Sequence, residues 1–257
     1  MDLNRIRKVG VAAAYSAAGE LTTRMGKLGK VRKKGAIDLV TEADEAAEKT
    51  IIDTLRNSFP EHAILSEESG LRKGSGGYRW IIDPLDGTTN FVNGLGIYSI
   101  SIAFAHAQQV LFGVVLSPCS REIFTAVKGE GAFCNGRPIA VSQKDAVCES
   151  LLVTGFPYDL KRNFDTIMRR FTNCVRQARG IRRLGSAALD FCYVACGRFD
   201  GYWEQYLQPW DMAAGALIAA EAGARVTDFS NGDFVTDTDE ILVTNGLIHK
   251  EMLSLME

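Results

Sequence analysis

A short apolar run that leads into two aspartates constrains this chain more than any other stretch. Residues 80–82 suit a buried strand that delivers Asp83 at its C-terminal end, and Pro84 is expected to end the ladder because it has no N–H to donate. Asp86 follows, and Gly87 then allows the backbone to approach a ligand closely. The next N–H groups can open a helical turn whose positive end faces an anion. This arrangement suits a hard divalent cation together with a phosphate; the alternative is an ordinary turn with its carboxylates in solvent.

The composition is that of an ordinary globular protein. Of 257 residues, 46% are hydrophobic and 23% are charged, and a net charge of −2 creates no field that attracts nucleic acid. The first residues do not resemble a signal peptide, and no stretch reaches the roughly 18 apolar residues of a membrane span. Six scattered cysteines without a Cys-x-x-Cys pair, and only three histidines, disfavour a zinc site. We therefore expect a cytoplasmic protein whose cysteines stay reduced.

Hydrophobic periodicity divides the chain into a first half rich in strands and a second half of alternating strands and helices. Residues 1–145 open with two amphipathic helices, over 2–28 and from Thr41 to Pro60, and continue as a meander of strands. Residues 146–257 form the second half, and because no Pro/Gly/Ser-rich linker separates the two we expect one compact unit. The predicted strands cover 63–65, 80–82, 100–107, 110–116, 122–127, 131–134, 151–154, 199–204, 225–227 and 240–244, and the later helices 163–178, 184–196, 212–222 and 247–256.

Five acidic residues each lie at the end of a predicted strand or helix. Clustered carboxylates repel one another unless cations neutralise them, so their convergence would imply a metal site, and oxygen ligands favour Mg²⁺ or Mn²⁺ over zinc. Spacing alone does not show that the five converge. Asp44 also has a structural alternative, since a carboxylate three residues after Thr41 completes a capping box. The five residues are Asp44, Glu67, Asp83, Asp86 and Asp211.

Two basic regions each have a structural and a functional interpretation. The loop 27–34 holds five basic residues and is either a solvated linker after the first helix or a mobile arm that reaches over an anionic site. The predicted helix 163–178 carries an arginine-rich face, which is either solvated or a surface for RNA.

Several motifs, taken in order, resemble the inositol monophosphatase family, and the resemblance spans residues 5–250. Its most specific part is the Asp-Pro-x-Asp-Gly-Thr core of residues 83–88. Ser186 departs from the animal relatives, which carry threonine at that position. The motifs are Asp38-Leu39-Val40-Thr41-Glu42-Ala43-Asp44, Glu67-Glu68-Ser69, Asp83-Pro84-Leu85-Asp86-Gly87-Thr88, Leu184-Gly185-Ser186-Ala187 and Trp210-Asp211.

The resemblance implies an α/β (α+β) protein folded as a layered α-β-α-β-α sandwich with a largely antiparallel first sheet. It also implies hydrolysis of a phosphate monoester by a water that two or three Mg²⁺ ions activate, with Mn²⁺ able to replace them. In this family pattern Thr88 polarises the water and Asp44 is the base behind it, with Glu67 as a third catalytic residue. The implied metal ligands are Glu67, Asp83, the Leu85 carbonyl, Asp86 and Asp211, and the implied substrate contacts are Asp86, Gly87, Thr88, Ala187, Glu204 and Asp211.

Several substrates suit this chemistry. myo-Inositol monophosphate leads, because the Glu204 carboxylate can accept hydrogen bonds from ring hydroxyls. Fructose-1,6-bisphosphate is the runner-up and would need a cation such as Arg182, Arg183 or the loop 27–34 for its second phosphate; nucleotide and histidinol phosphates are further alternatives. Some bacterial relatives imply another class of function, a regulatory protein that binds RNA or the transcription machinery. The family also implies a homodimer and sensitivity to lithium, and the lack of a long apolar stretch leads us to expect no association with membranes.

Overall fold

The computed structural model describes residues 2–26, 31–33, 39–157, 159–236 and 238–257, without the side chains of 31–33, 39, 40 and 162. The basic loop 27–34 lies largely outside the described residues, as does Asp38, so both interpretations of that loop stay predictions. In the part of the chain that is described, no helix is long and apolar enough to cross a membrane.

Seven α-helices form in the described residues, and they confirm the predicted helices with small shifts at the ends. α1 begins after Asp2, whose carboxylate accepts the Arg5 N–H (3.1 Å), and it buries an alanine-rich stripe. Gly223, at φ +93°, ends α6 as expected, because glycine adopts this left-handed conformation without strain. The helices are α1 (Leu3–Arg24), α2 (Glu42–Ser58), α3 (Thr88–Val92), α4 (Phe164–Gln177), α5 (Ala187–Ala195), α6 (Pro209–Glu221) and α7 (His249–Leu255).

The described residues also form fifteen strands. They include all the predicted strands, together with short ones that the hydrophobic pattern did not reveal, such as β4 and β12. The strands are β1 (Val31–Lys33), β2 (Leu39–Thr41), β3 (Ala63–Ser66), β4 (Gly70–Arg72), β5 (Tyr78–Asp86), β6 (Ser99–His106), β7 (Gln109–Ser117), β8 (Glu122–Val127), β9 (Ala132–Cys134), β10 (Arg137–Pro138), β11 (Leu151–Thr154), β12 (Gly180–Arg182), β13 (Gly201–Gln205), β14 (Arg225–Thr227) and β15 (Glu240–Thr244).

Two large sheets and the helices stack in five layers, which confirms the α-β-α-β-α sandwich. The eight-stranded sheet has the order β10-β9-β8-β7-β6-β5-β3-β4 and is antiparallel except between β3 and β5; the five-stranded sheet has the order β12-β11-β13-β15-β14. Trp80 and Ile82 of β5 pack against α1 and α2, whereas Ile81 points to the middle layer of α5 and α6, because side chains alternate along a strand. On the far side, Trp203 and Met252 belong to the core that α4 and α7 form with the smaller sheet.

The expectation that Pro84 ends its strand is wrong. β5 continues through Pro84 to Asp86, and its pairing with β6 shifts between Asp83 and Asp86, so that Asp83 faces Ser101 and Asp86 faces Ser99. Within this irregularity Pro84 needs no ladder hydrogen bond, which is why a strand can contain it. The bulge therefore keeps both aspartates on a strand.

Candidate active site

Carboxylates gather at one edge of the larger sheet, where the parallel strands β3 and β5 both end. Glu67 follows β3, and its N–H donates to the Ile82 carbonyl (3.2 Å) of β5, immediately before Asp83. Asp83 is buried, and burial followed by the charges of Glu67, Asp86 and Asp211 raises its pKa well above the ordinary value. The four carboxylates predicted as metal ligands therefore share one electrostatic environment.

Asp86 joins the end of β5 to the start of α5. Its Oδ2 accepts hydrogen bonds from the Ser186 hydroxyl (2.5 Å), the Ala188 N–H (2.9 Å) and the Ser99 hydroxyl (3.2 Å). Its Oδ1 accepts the Ala187 N–H (3.2 Å), so Ala187, a predicted substrate contact, lies against Asp86. Burial raises the pKa of Asp86 in spite of these donors. Residue types alone do not predict the two serine contacts, because the Ser99 contact depends on the pairing of β5 with β6 and the Ser186 contact on the packing of α5.

Asp44 combines the two roles that the sequence left open. Its Oδ2 accepts the Thr41 N–H (2.8 Å) and the Thr41 hydroxyl (2.6 Å), which forms the predicted capping box of α2. Its Oδ1 accepts the Thr88 hydroxyl (3.1 Å), which also lies within reach of the Leu85 carbonyl (3.0 Å). Burial raises the pKa of Asp44, while these hydrogen bonds lower it. Oδ2 of Asp44 thus caps α2, and Oδ1 contacts Thr88.

Asp211 reaches the same group from the start of α6. Its Oδ2 accepts the Gln208 N–H (2.7 Å), so it repeats the capping arrangement of Asp44. Burial, followed by the charges of Asp86 and Glu67, raises the pKa of Asp211 well above the ordinary value. The capping bond fixes the start of α6 and holds the carboxylate close to two other acids.

Gly87 forms the turn between β5 and α3 at φ +95°. A Cβ at this position would lie 3.0 Å from the carbonyl oxygens of both Gly185 and Ile97, so conformation and space both require glycine. The N–H groups in the first turn of α3, which begins at Thr88, have no acceptor inside that helix.

A cavity of about 90 Å³ lies beside these groups and contains five of the six predicted substrate contacts, Thr88 being the exception. A larger cavity of about 720 Å³, between the β6–β7 turn and α6, contains none of the predicted site residues. The smaller cavity is lined by Asp86, Gly87, Gly155, Phe156, Arg183, Gly185, Ser186, Ala187, Asp190, Glu204, Leu207 and Asp211.

Glu204 contributes a buried carboxylate to this cavity. The Tyr202 hydroxyl donates to its Oε2 (2.6 Å). Burial raises the pKa of Glu204 to about 7, although the Tyr202 hydrogen bond and the positive charge of Arg183 lower it. Near neutral pH the carboxyl is therefore close to its own pKa, and its charged form is a strong hydrogen-bond acceptor.

The cavity is also lined by Asp190, which was not predicted from the sequence, and by Arg183, which was predicted only as one possible cation for a second phosphate. Asp190 is buried, and within the described residues neither of its carboxyl oxygens has a hydrogen-bond partner. Burial, followed by the charge of Glu204, raises its pKa well above the ordinary value. Its position four residues after Ser186, on the same face of a predicted helix, was the available signal. Arg183 lines the cavity, whereas Arg182 is not part of the lining.

The chemistry of these donors suits a hard cation. Among the residues that the structure describes, no three His, Cys, Asp or Glu side chains form a group that could hold a metal ion. The charges of Glu67, Asp86 and Asp211 nevertheless raise the pKa of Asp83, and a divalent cation would reverse that effect. Because every donor is an oxygen, the set fits Mg²⁺ or Mn²⁺ better than zinc.

Known proteins resemble this chain along nearly its whole length. The model of the inositol monophosphatase family matches residues 2–257. The Nus factor SuhB of Pseudomonas aeruginosa is 44% identical over 252 residues, covering 95% of this chain and 93% of that protein. The inositol-1-monophosphatase of Synechocystis sp. is 43% identical over 253 residues, covering 98% and 88%. The structure of inositol monophosphatase from Anabaena (Nostoc) sp. superposes with a TM-score of 0.91 at 37% identity, covering 100% and 96%. The chain therefore belongs to the inositol monophosphatase family.

Proposed function

We propose that this protein is a magnesium-dependent phosphatase for a small polyol phosphate, with myo-inositol monophosphate as the leading substrate. The observation that carries the proposal is the cavity in which Glu204 lies with Asp86, Asp211 and Gly87. An acceptor for ring hydroxyls is then next to the carboxylates and the glycine turn that would hold the phosphate end. The name of the Synechocystis relative, inositol-1-monophosphatase, supports the same substrate.

The proposed metal ligands come from two strand ends and one helix start. When bound, Mg²⁺ or Mn²⁺ neutralises charge on the phosphate oxygens and acidifies a water molecule. The raised pKa of Asp83 supports this assignment, because acids that repel one another gain most from a cation. Since the ligands must be deprotonated, we expect metal affinity to fall as the pH is lowered. The ligands are Glu67, Asp83, the Leu85 carbonyl, Asp86 and Asp211.

Thr88 and Asp44 provide a path for the proton of the attacking water. In the proposal the Thr88 hydroxyl oxygen accepts the water proton while its own proton passes to Asp44 Oδ1, 3.1 Å away. Burial raises the pKa of Asp44 and so makes this carboxylate a stronger base. Glu67, the third proposed catalytic residue, lies at the end of the neighbouring strand β3.

The substrate would extend from the first turn of α3 to Glu204. The N–H groups of Gly87 and Thr88 would hold the phosphate, since helix starts favour anions. The hydroxyl-bearing part would contact Ala187 and Glu204, together with Asp86 and Asp211.

Phosphate release from four esters, with and without Mg²⁺, tests the proposal. The esters are inositol-1-phosphate, fructose-1,6-bisphosphate, 3′-phosphoadenosine 5′-phosphate and histidinol phosphate. We expect Mg²⁺-dependent release led by inositol-1-phosphate, and Glu204→Gln should raise its KM about 10-fold by weakening one hydrogen-bond acceptor. If the bisphosphate leads instead, Arg183 becomes the cation for its second phosphate. If no ester releases phosphate, the enzyme assignment fails.

A second candidate function is a transcription-related role, which the relatives named Nus factor SuhB favour. Arg169, Arg176 and Arg179 are exposed on or beside α4, whereas Arg170 is engaged with the Met256 carbonyl (2.5 Å). If this face binds RNA, affinity should fall steeply as salt is raised, and replacing the three exposed arginines with alanine should reduce the salt dependence. Salt-independent or undetectable binding would reject this role.

A further inference from the structure

Gly155 lies directly beside Glu204 across two parallel strands. β11 ends at Thr154, and β11 and β13 pair Val153 with Tyr202 and Thr154 with Trp203, so the next position in register sets Gly155 against Glu204. The Thr154 hydroxyl donates to the Trp203 carbonyl (2.7 Å), which fixes this register at the end of β11. Gly155 is buried and lines the cavity.

The space that a side chain at Gly155 would need is already filled by the Glu204 carboxyl group. A Cβ built on Gly155 would lie 1.9 Å from Oε2, 2.1 Å from Cδ and 2.2 Å from Oε1 of Glu204. Gly155 does not adopt the left-handed conformation in which glycine is required, so its backbone could accommodate alanine without strain. Glycine is needed here because of the carboxylate.

The structure leads us to propose that Gly155 is a positioning residue, whose missing side chain reserves the space for the Glu204 carboxylate and thereby sets the selectivity of the cavity for polyol esters. The inference rests on the proposed function, in which Glu204 accepts a substrate hydroxyl. A methyl group at position 155 would push the flexible end of Glu204 away from the Tyr202 hydroxyl, which holds it at 2.6 Å. The carboxylates proposed as metal ligands lie on other elements, after β3, at the end of β5 and at the start of α6.

Gly155→Ala should therefore impair recognition of the polyol and leave phosphate transfer intact. We expect the KM for inositol-1-phosphate to rise about 10-fold, as for the loss of one good hydrogen bond to a substrate hydroxyl. The kcat for p-nitrophenyl phosphate, which has no aliphatic hydroxyl, should change less than about twofold. Gly180→Ala is the matched control: Gly180 lies in the adjacent strand β12, and a Cβ there meets its nearest atoms at an ordinary 3.5 Å.

A double-mutant cycle separates positioning from general damage. Because Glu204→Ala removes the group with which the new methyl collides, adding Gly155→Ala to it should change the KM no further. If Gly155→Ala alone fails to fold, the double variant should fold again. Equal loss on both esters, a further KM rise in the double variant, or an unfolded double variant would overturn the inference. Wild-type protein that hydrolyses neither ester would instead refute the proposed function.

Discussion

Strand β13 has a buried carboxylate near each end, Asp200 just before it and Glu204 close to its last residue. The two differ in the groups that balance their negative charge. Asp200 accepts the Ser142 hydroxyl (2.6 Å), the Lys144 ammonium group (2.9 Å) and the Leu151 N–H (2.7 Å). A cation and two neutral donors thus balance its charge. These contacts fasten the segment before β11 to the start of β13.

Glu204 faces the opposite situation. Its described hydrogen-bond donor is the neutral Tyr202 hydroxyl. Burial raises the pKa of Glu204 to about 7 although that hydrogen bond and the charge of Arg183 lower it, and the charge of Asp86 adds to the rise. A buried carboxylate whose charge is balanced by a cation and hydrogen-bond donors stabilises the fold. A buried carboxylate that lacks this balance is stabilised when a ligand supplies donors or positive charge. Under the proposed function, Asp200 is therefore an acid that stabilises the fold, and Glu204 is one that binds substrate.

The largest effect should come from Asp44, which belongs to both groups. Asp44→Asn keeps a carbonyl oxygen for the contacts with Thr41 and removes the proposed base beside Thr88. We expect kcat to fall by about 10²–10⁴, the usual contribution of a general base, with KM nearly unchanged. The free energy of unfolding should fall by only about 1 kcal/mol, the usual value of a helix cap.

Steady-state kinetics and urea unfolding of the same preparation measure both quantities for Asp44→Asn. Thr41→Ser is the control, because it retains the capping hydroxyl and leaves the carboxylate unchanged. If turnover of Asp44→Asn stays at the wild-type level, Asp44 only caps α2. It would then belong with Asp200, among the acids that stabilise the fold.

Asp200→Ala should give the reverse pattern, with lost stability and retained catalysis. Removing the buried carboxylate leaves the half-buried donors of Ser142 and Leu151, and the Lys144 ammonium group, without their acceptor, which should cost about 3 kcal/mol of unfolding free energy. The matched control is Asp53→Ala, which breaks the exposed ion pair with Lys49 (2.7 Å) on α2 and should leave the free energy of unfolding nearly unchanged, because solvent screens such a pair. A fall in kcat at full folding would show that Asp200 also shapes the site.

Glu204→Gln should change how the stability of the protein depends on pH. The pKa of Glu204 is raised from its ordinary value of 4.5 to about 7, so the folded protein binds a proton that the unfolded chain releases between these pH values. The wild type should therefore lose stability as the pH rises through this window. Relative to Gln, which stays neutral, the loss should reach about 3 kcal/mol at pH 8 and vanish near pH 4.

Urea unfolding of both proteins at pH 4, 6 and 8, in the presence of a chelator, tests this expectation. Asp200→Asn serves as the comparison at the other end of the strand. If the free energies of unfolding of the wild type and Glu204→Gln differ by the same amount at every pH, the pKa of Glu204 is not raised. Glu204 and Asp200 would then not differ in this respect.

The sequence predicted the parts of the site whose geometry is local. Asp83, Asp86 and Gly87 lie within one strand and its turn, and Asp44 follows its cap by three residues, so pattern and capping rules were sufficient. Pro84 shows the limit of a local rule, because the bulge that accommodates it depends on how β5 pairs with β6.

The contacts of Gly155 and Asp190, which the sequence did not predict, depend on register or packing between distant segments. Gly155 meets Glu204 only because β11 and β13 pair in one particular register, 49 residues apart at Thr154 and Trp203. Asp190 faces the cavity because α5 is packed between the two sheets. Nothing in the residue types alone specifies such pairings, so they became visible only in three dimensions.

Ser186→Ala should have the smallest effect. It tests whether a neutral hydrogen-bond donor contributes to the ability of Asp86 to bind a cation. The Ser186 hydroxyl is the strongest influence that lowers the pKa of Asp86, to which it donates at 2.5 Å. Without it we expect Mg²⁺ affinity, measured by calorimetry, to weaken about 10-fold, because groups that orient a metal ligand usually contribute this much. Ser186→Thr retains the hydroxyl and should bind Mg²⁺ like the wild type. If Ser186→Ala binds Mg²⁺ equally well, then the backbone N–H groups of α5 suffice to orient Asp86, and its ionisation depends on the cation rather than on the hydroxyl.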